Sequence, residues 1–313
     1  MEATGVKKAL VVGAGVMGHS IAQVLATAGI QTNLVDVNQD VLDHARKLIG
    51  FNLETLAEYG RVKKGDIPQI IGRIAFGVDL RGACKGVDFV IEAVAESIDI
   101  KQKVFAELEA NTPPGTILAS NTSALDVFNV LKFTDPSRIL ITHWFAPPHI
   151  IPLVEVVPGP ATKPECMKLA VSLMERAGKR PVVMRQFVQS FIVNRVQNYI
   201  GLAVLEMLSN GWATPEEIDR AIKTSLAIRI PVVGVVQSYD FTGLDLVSAV
   251  IKNSGLNYPI IDNLVKEGRL GAKTGAGFYE YQGRTEEEIL RKRDTLYLRM
   301  YDFLEGLNGF KAV

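Results

Sequence analysis

Along the first half of the chain, apolar positions fall into short β-branched runs separated by amphipathic stretches. Ala9-Leu-Val-Val12 is followed by helical periodicity from about Met17 to Ala28, and then by Asn33-Leu-Val-Asp36. This alternation is the rhythm of βαβ units and predicts a parallel sheet. Val87-Asp-Phe-Val-Ile91, Thr116-Ile-Leu-Ala119 and Arg138-Ile-Leu-Ile-Thr142 fit further strands of that sheet. Leu153-Val-Glu-Val-Val157 and Arg180-Pro-Val-Val-Met184 read as two more, around a helix from about Pro164 to Lys179. After Phe187 the apolar residues recur at helical spacing, through Phe191, Val196, Tyr199 and Val204 to Leu208, and strand signals stop. Thr214, Pro215 and Glu217 form the start of a helix with a capping box, and Glu286 to Leu307 reads as a charged amphipathic helix. The pattern predicts an α/β domain with a doubly wound sheet at residues 1–186 and an all-helical domain at residues 187–313.

Composition narrows the function classes. The 313 residues are 48% hydrophobic and 22% charged, which excludes a disordered or low-complexity chain. Lys+Arg 34 is balanced by Asp+Glu 34, so no basic field points to nucleic acid or an anionic membrane surface. No apolar run reaches the roughly 18 residues that span a bilayer, and the first residues carry no signal-peptide pattern, so the expected location is cytoplasmic. Cys84 and Cys166 form no metal-ligand pattern, and no histidine cluster does either; no metal is expected.

Gly13-Ala-Gly15-Val16-Met17-Gly18 follows a predicted strand and opens a predicted helix. There the glycines make a tight turn, admit a pyrophosphate to the backbone and let the helix pack on the strand. Asp36 ends the next strand, where a carboxylate meets the ribose hydroxyls of an adenosine, and no arginine follows it to hold a 2′-phosphate. The combination predicts a Rossmann-type domain that binds NAD.

His143 stands at a strand end, and Glu155 lies twelve residues later inside an apolar strand. A buried glutamate needs a partner. If the chain doubles back through Pro147 and Pro148, Glu155 orients one ring nitrogen of His143 and leaves the other for a substrate; a satisfied core histidine with a half-exposed glutamate fits the same spacing. His149 is a rival base without an evident carboxylate. Ser120-Asn-Thr-Ser123 lies past another strand, where small hydroxyls either hold substrate oxygen or cap a helix. Asn194 interrupts an apolar helix and either caps a carbonyl or donates to a ligand.

Taken in order, the glycine turn, Glu92-Ala-Val-Ala-Glu96, Ser120-Asn-Thr-Ser123, His143-Trp-Phe, Leu153-Val-Glu-Val-Val157, Phe191-Ile-Val-Asn-Arg195 and Lys273-Thr-Gly-Ala-Gly-Phe-Tyr279 resemble the (S)-3-hydroxyacyl-CoA dehydrogenase family over nearly the whole chain. The resemblance implies that His143 is the catalytic base, Glu155 its partner, and Ser123 and Asn194 the groups that hydrogen-bond the reacting oxygen. It places Glu96 and Lys101 near the nicotinamide side of the cofactor; Val16, Met17 and Asn121 complete the cofactor set. Arg61 and Lys64 resemble the helical arm that holds the nucleotide of an acyl-CoA substrate, and the helical domain is expected to make a homodimer. Ala146 stands where typical members have asparagine, and Gln189-Ser190 replaces their Pro-Gly. The Pro-Pro-His-Ile-Ile-Pro152 loop also resembles relatives that oxidise free hydroxy acids or ring alcohols, such as carnitine, gulonate and pyridine-alcohol dehydrogenases. A non-catalytic NAD-binding protein is the remaining reading.

Overall fold

A computed structural model of the chain describes residues 5–310. Two compact units divide it, Met1–Tyr199 and Ile200–Val313. The first is built on an eight-stranded sheet in the order β3-β2-β1-β4-β5-β6-β7-β8. These strands are β1 (Lys8–Val12), β2 (Gln31–Val35), β3 (Ile74–Gly77), β4 (Phe89–Glu92), β5 (Ile117–Ser120), β6 (Ile139–Trp144), β7 (Leu153–Pro158) and β8 (Arg180–Val183). The order reverses between β1 and β4, the switch point where doubly wound sheets bind ligands at the carboxyl ends of their strands.

Helices α1 (Gly18–Thr27) and α2 (Gln39–Glu58), with the helix Pro164–Arg176, cover one face of the sheet around Ile21, Leu25, Leu53, Leu173, Trp144 and Val154. The helix Ile98–Asn111 and the segment around Phe187 and Phe191 close the other face over Leu10, Val90, Leu118 and Ile141. Burial on both faces explains why the central strands read as unbroken apolar runs.

Four differences from the sequence reading matter. β3 escaped notice because it is a four-residue edge strand with only Ile74 buried, so it carries little apolar pattern. β7 runs antiparallel to β6 within a sheet read as parallel: the connection 145–152 is too short for a crossover helix, so the chain doubles back through Pro147 and Pro148. The next helix starts at Val193 rather than Phe191, since Ser190 and Phe191 hold left-handed φ values of 65° and 53°. Asn194 therefore lies in a first helical turn and not in a helix interior. The helix from Pro164 also stops earlier than Lys179, at Arg176, because Gly178 takes φ 74° just beyond it.

The second unit is helical throughout its described residues apart from loops and isolated bridges. Thr214 and Thr285 each close a capping box. The helix Ala227–Thr242 kinks at Gly234 (φ 71°, ψ 177°), three residues past Pro231. Asp240 is fully buried and accepts hydrogen bonds from the Phe278 and Tyr279 amides and the Tyr281 hydroxyl, which fixes the Lys273–Tyr279 loop against that helix. Among the described residues, no helix is long and apolar enough to cross a membrane.

Candidate active site

The glycine turn follows β1 directly. Gly13 has φ 97°, and a Cβ there would meet the Ala93 carbonyl oxygen at 2.5 Å; one on Gly18 would meet the Gly13 oxygen at 1.7 Å. These two glycines are thus required by the turn and by the helix's approach to the strand. A Cβ on Gly15 meets nothing within 4 Å, and Gly15 and Val16 are exposed at the mouth of α1 while Met17 is half-buried behind them. Open space before backbone amides at a helix start is what a pyrophosphate needs. Asp36 accepts the Ala14 amide at 2.8 Å and the Asn38 amide at 3.3 Å, which leaves lone pairs on both oxygens for ribose hydroxyls. The residues present fit NAD.

At the end of β4, Glu92 is wholly buried and accepts from the Lys101 ammonium at 2.8 and 3.0 Å, the Ser120 hydroxyl at 2.7 Å and the Val94 amide at 2.9 Å. Lys101, 1% exposed, also reaches Glu96 at 3.1 Å. Glu96 in turn accepts from the Thr122 hydroxyl and from the amides of Ser123 (3.1 Å) and Ala124 (3.3 Å). Burial pushes the Glu96 carboxyl up, but the Thr122 hydroxyl and the Lys101 ammonium outweigh it and hold the group below its ordinary value. The sequence reading quoted Glu92 in its motif without a role; a glutamate ending an apolar strand was the available signal.

His143 and Glu155 are direct cross-strand partners in the β6–β7 pair, so their side chains share a face. Nδ1 of His143 lies 2.8 Å from Oε2 of Glu155, with His143 4% and Glu155 1% exposed. A carboxylate accepts the Nδ1 proton, so Nε2 of the neutral ring is the acceptor; it has no partner among the described residues. Phe145 and Phe191 pack on the imidazole with centroids 4.5 and 4.9 Å away. Oε1 of Glu155 accepts the Ile192 and Val193 amides at 3.0 and 3.1 Å, which anchors the helix start that carries Asn194. Asn121 binds the Trp144 amide through Oδ1 at 2.9 Å, and Gln189 donates to the Ala124 carbonyl at 2.9 Å. Those two bonds tie the Ser123 loop to the strand of His143 and to the segment before Asn194. The structure thus gathers His143, Glu155, Ser123 and Asn194 around one edge of the sheet.

His149 is separately engaged: Ser20 Oγ lies 2.8 Å from its Nδ1 and accepts its amide at 3.0 Å. Burial, with His19 and Lys179 nearby, lowers its value and favours the neutral ring. It lines a cavity of about 710 Å³ with Gln23, Arg61, Arg176, Lys179 and Arg180. No carboxylate lines this cavity among the described residues. Lys64 is not part of it and sits in a small recess with Glu54 and Glu58. Sequence reasoning missed Arg176, Lys179 and Arg180, although a basic cluster at a helix end was visible.

Residues 8–187 match the family model described as 3-hydroxyacyl-CoA dehydrogenase, NAD binding domain, and residues 191–281 match the 3-hydroxyacyl-CoA dehydrogenase C-terminal domain. The chain belongs to the 3-hydroxyacyl-CoA dehydrogenase family. It is 35% identical over 289 residues to a probable 3-hydroxybutyryl-CoA dehydrogenase of Bacillus subtilis, covering 90% of this chain and 99% of the relative. It is 27% identical to the 5-formyl-3-hydroxy-2-methylpyridine 4-carboxylate 5-dehydrogenase of Mesorhizobium japonicum, covering 96% of this chain and 99% of that one. The solved 3-hydroxyacyl-CoA dehydrogenase of Archaeoglobus fulgidus superimposes with a TM-score of 0.79 at 28% identity, covering 97% of this chain and 100% of that one. Members of this dehydrogenase family are oxidoreductases acting on CH–OH groups, and the cofactor of the first domain is NAD.

Proposed function

We propose that this chain interconverts an (S)-3-hydroxyacyl-CoA and its 3-ketoacyl-CoA, with His143 as the acid–base group. The pairing of His143 with Glu155 carries the catalytic part of the reading. In the oxidation, Nε2 of His143 accepts the proton of the substrate's secondary hydroxyl, and Glu155 steadies the imidazolium that forms. Ser123 and Asn194 hydrogen-bond the same oxygen as it becomes a carbonyl. Bound NAD supplies the acceptor for the hydride that leaves the carbinol carbon. In the reduction, the imidazolium returns its proton to the developing alkoxide.

The basic cavity supports a substrate carried on CoA. Arg61 lines it together with Arg176 and Arg180, which come from a distant part of the sequence, and guanidinium groups without competing carboxylates suit phosphate. A second reading, oxidation of a free hydroxy acid or ring alcohol, draws on the similarity to the pyridine dehydrogenase and on Ala146, which is exposed ahead of Pro147 where other members have an amide. Following NADH oxidation with acetoacetyl-CoA, free acetoacetate and 3-dehydrocarnitine separates the two. Fast oxidation with the thioester alone supports the acyl-CoA reading, and Arg61→Ala and Arg180→Ala are each expected to raise its KM by about tenfold. NADH binding with no turnover of the thioester overturns that reading in favour of the second.

The same proposal takes residues 187–313 as the helical substrate and dimerisation domain. The exposed Tyr199, Leu202, Leu205 and Leu208 along one helix support a homodimer, which sedimentation equilibrium tests.

A further inference from the structure

Glu92 touches neither the glycine turn nor the His143 pair, yet it occupies the centre of the sheet's carboxyl edge, between Val12 of β1 and Ser120 of β5. A carboxylate with no exposed surface loses its hydration and is retained only where bonds replace it. Every partner it has is a donor: Lys101, Ser120 and the Val94 amide. The bonds then continue outward, from Glu92 to Lys101, from Lys101 to Glu96, and from Glu96 to the Thr122 hydroxyl and the Ser123 and Ala124 amides. A second path runs through Ser120, whose hydroxyl donates to Glu92 and accepts the Thr122 amide at 3.2 Å. Both paths end on the loop that presents Ser123.

We propose that Glu92 is a positioning residue that sets Ser123 through Lys101 and Glu96 while touching neither reactant. The inference rests on the role given to Ser123 above. Glu92→Gln keeps the size of the side chain but turns an amide donor toward partners that are all donors. Lys101 is then drawn toward Glu96 alone, and the carboxylate that gathers the Ser123 and Ala124 amides shifts with it. Misplacement of a reacting group by a fraction of an ångström is costly to turnover, whereas the glycine turn and Asp36, which hold the adenosine half of the cofactor in this reading, make no bond to Glu92, Lys101 or Glu96.

The test is a double-mutant cycle between Glu92→Gln and Ser123→Ala, read as kcat, together with amide hydrogen exchange at Ser123 and Ala124. In the wild-type background Glu92→Gln is expected to lower kcat by about tenfold with the KM for NADH within about twofold, and to speed exchange at both amides by about tenfold. In the Ser123→Ala background the same change is expected to cost less than about twofold, because the positioned group is gone. Additive losses, or unchanged kcat and exchange in Glu92→Gln, overturn the proposal. If Ser123→Ala itself leaves kcat unchanged, the proposed function of Ser123 is what fails, and exchange at the two amides still decides whether Glu92 sets the loop. Should Glu92→Gln not fold, Ser120→Ala removes one bond to Glu92 and carries the same cycle with a smaller expected loss.

Discussion

The β6–β7 hairpin and the β4 edge each bury a glutamate against a basic side chain, but they leave those side chains in opposite states. At the hairpin, Glu155 takes one nitrogen of His143 and two backbone amides, and the imidazole keeps Nε2 without a partner among the described residues. At the β4 edge, the Lys101 ammonium lies against oxygens of both Glu92 and Glu96. The first arrangement can take up and return a proton; the second is suited to holding a loop still. A buried pair of a carboxylate and a basic side chain is thus a candidate for chemistry when its geometry leaves one site of the base open, and a scaffold when it does not.

The largest effect expected from breaking this contrast falls on the hairpin. His143→Gln and Glu155→Gln should each lower kcat by at least about 100-fold with NADH affinity intact, as steady-state kinetics beside NADH fluorescence titration will show. Near wild-type turnover in either variant removes the acid–base assignment. In Glu155→Gln the amide also faces the Ile192 and Val193 donors, so slower turnover should come with weakened order at the start of that helix.

A third buried basic side chain sharpens the comparison, because it has no carboxylate partner among the described residues. Lys179 donates to the carbonyls of Pro148 and, at 2.9 Å, Ile151, and thereby pins the connection between β6 and β7. Burial pushes its ammonium from an ordinary 10.5 down to about 8. A group lowered on folding binds fewer protons in the folded state, so its penalty is complete below about 8 and is relieved as pH rises from about 8 toward 10.5. Stability should therefore gain up to about 1.4 kcal/mol per pH unit from this residue in that window. Urea unfolding of Lys179→Met across the same range should lack that gain; an unchanged slope would show that the ammonium is not desolvated.

The smallest effect is expected where the chain approaches Glu155. Ser190 holds φ 65°, a conformation that costs an L-residue about 1 kcal/mol, just before the amides that the carboxylate binds. Ser190→Gly should stabilise the protein by about 0.5–1 kcal/mol in thermal unfolding with kcat unchanged, while a loss of stability would mean that the serine side chain is needed there.

Much of this was legible in the sequence where the physics is local. The glycine turn, Asp36 and the apolar strand runs depend on residues close in the chain, and periodicity reports them directly. The four-residue strand Ile74–Gly77 was not legible, because an edge strand buries little and carries little pattern. The twelve-residue spacing of His143 and Glu155 allowed a catalytic pair or an unremarkable core histidine; only the antiparallel register placed them opposite one another on one face. The sequence likewise offered Arg61 and Lys64 as equals, and the packing of the arm put Arg61 in the cavity and Lys64 outside it.

By itself, then, the sequence determined the kind of domain, its cofactor turn and its family, since those are written in short-range spacing. The tertiary structure decided which groups meet: Glu155 with His143 and the helix start before Asn194, Glu96 with the Thr122–Ala124 loop, and Arg61 with Arg176 along the wall of one cavity. These meetings join residues distant in the chain, and their energies come from desolvation and bond geometry that exist only once the sheet and its covering helices have formed.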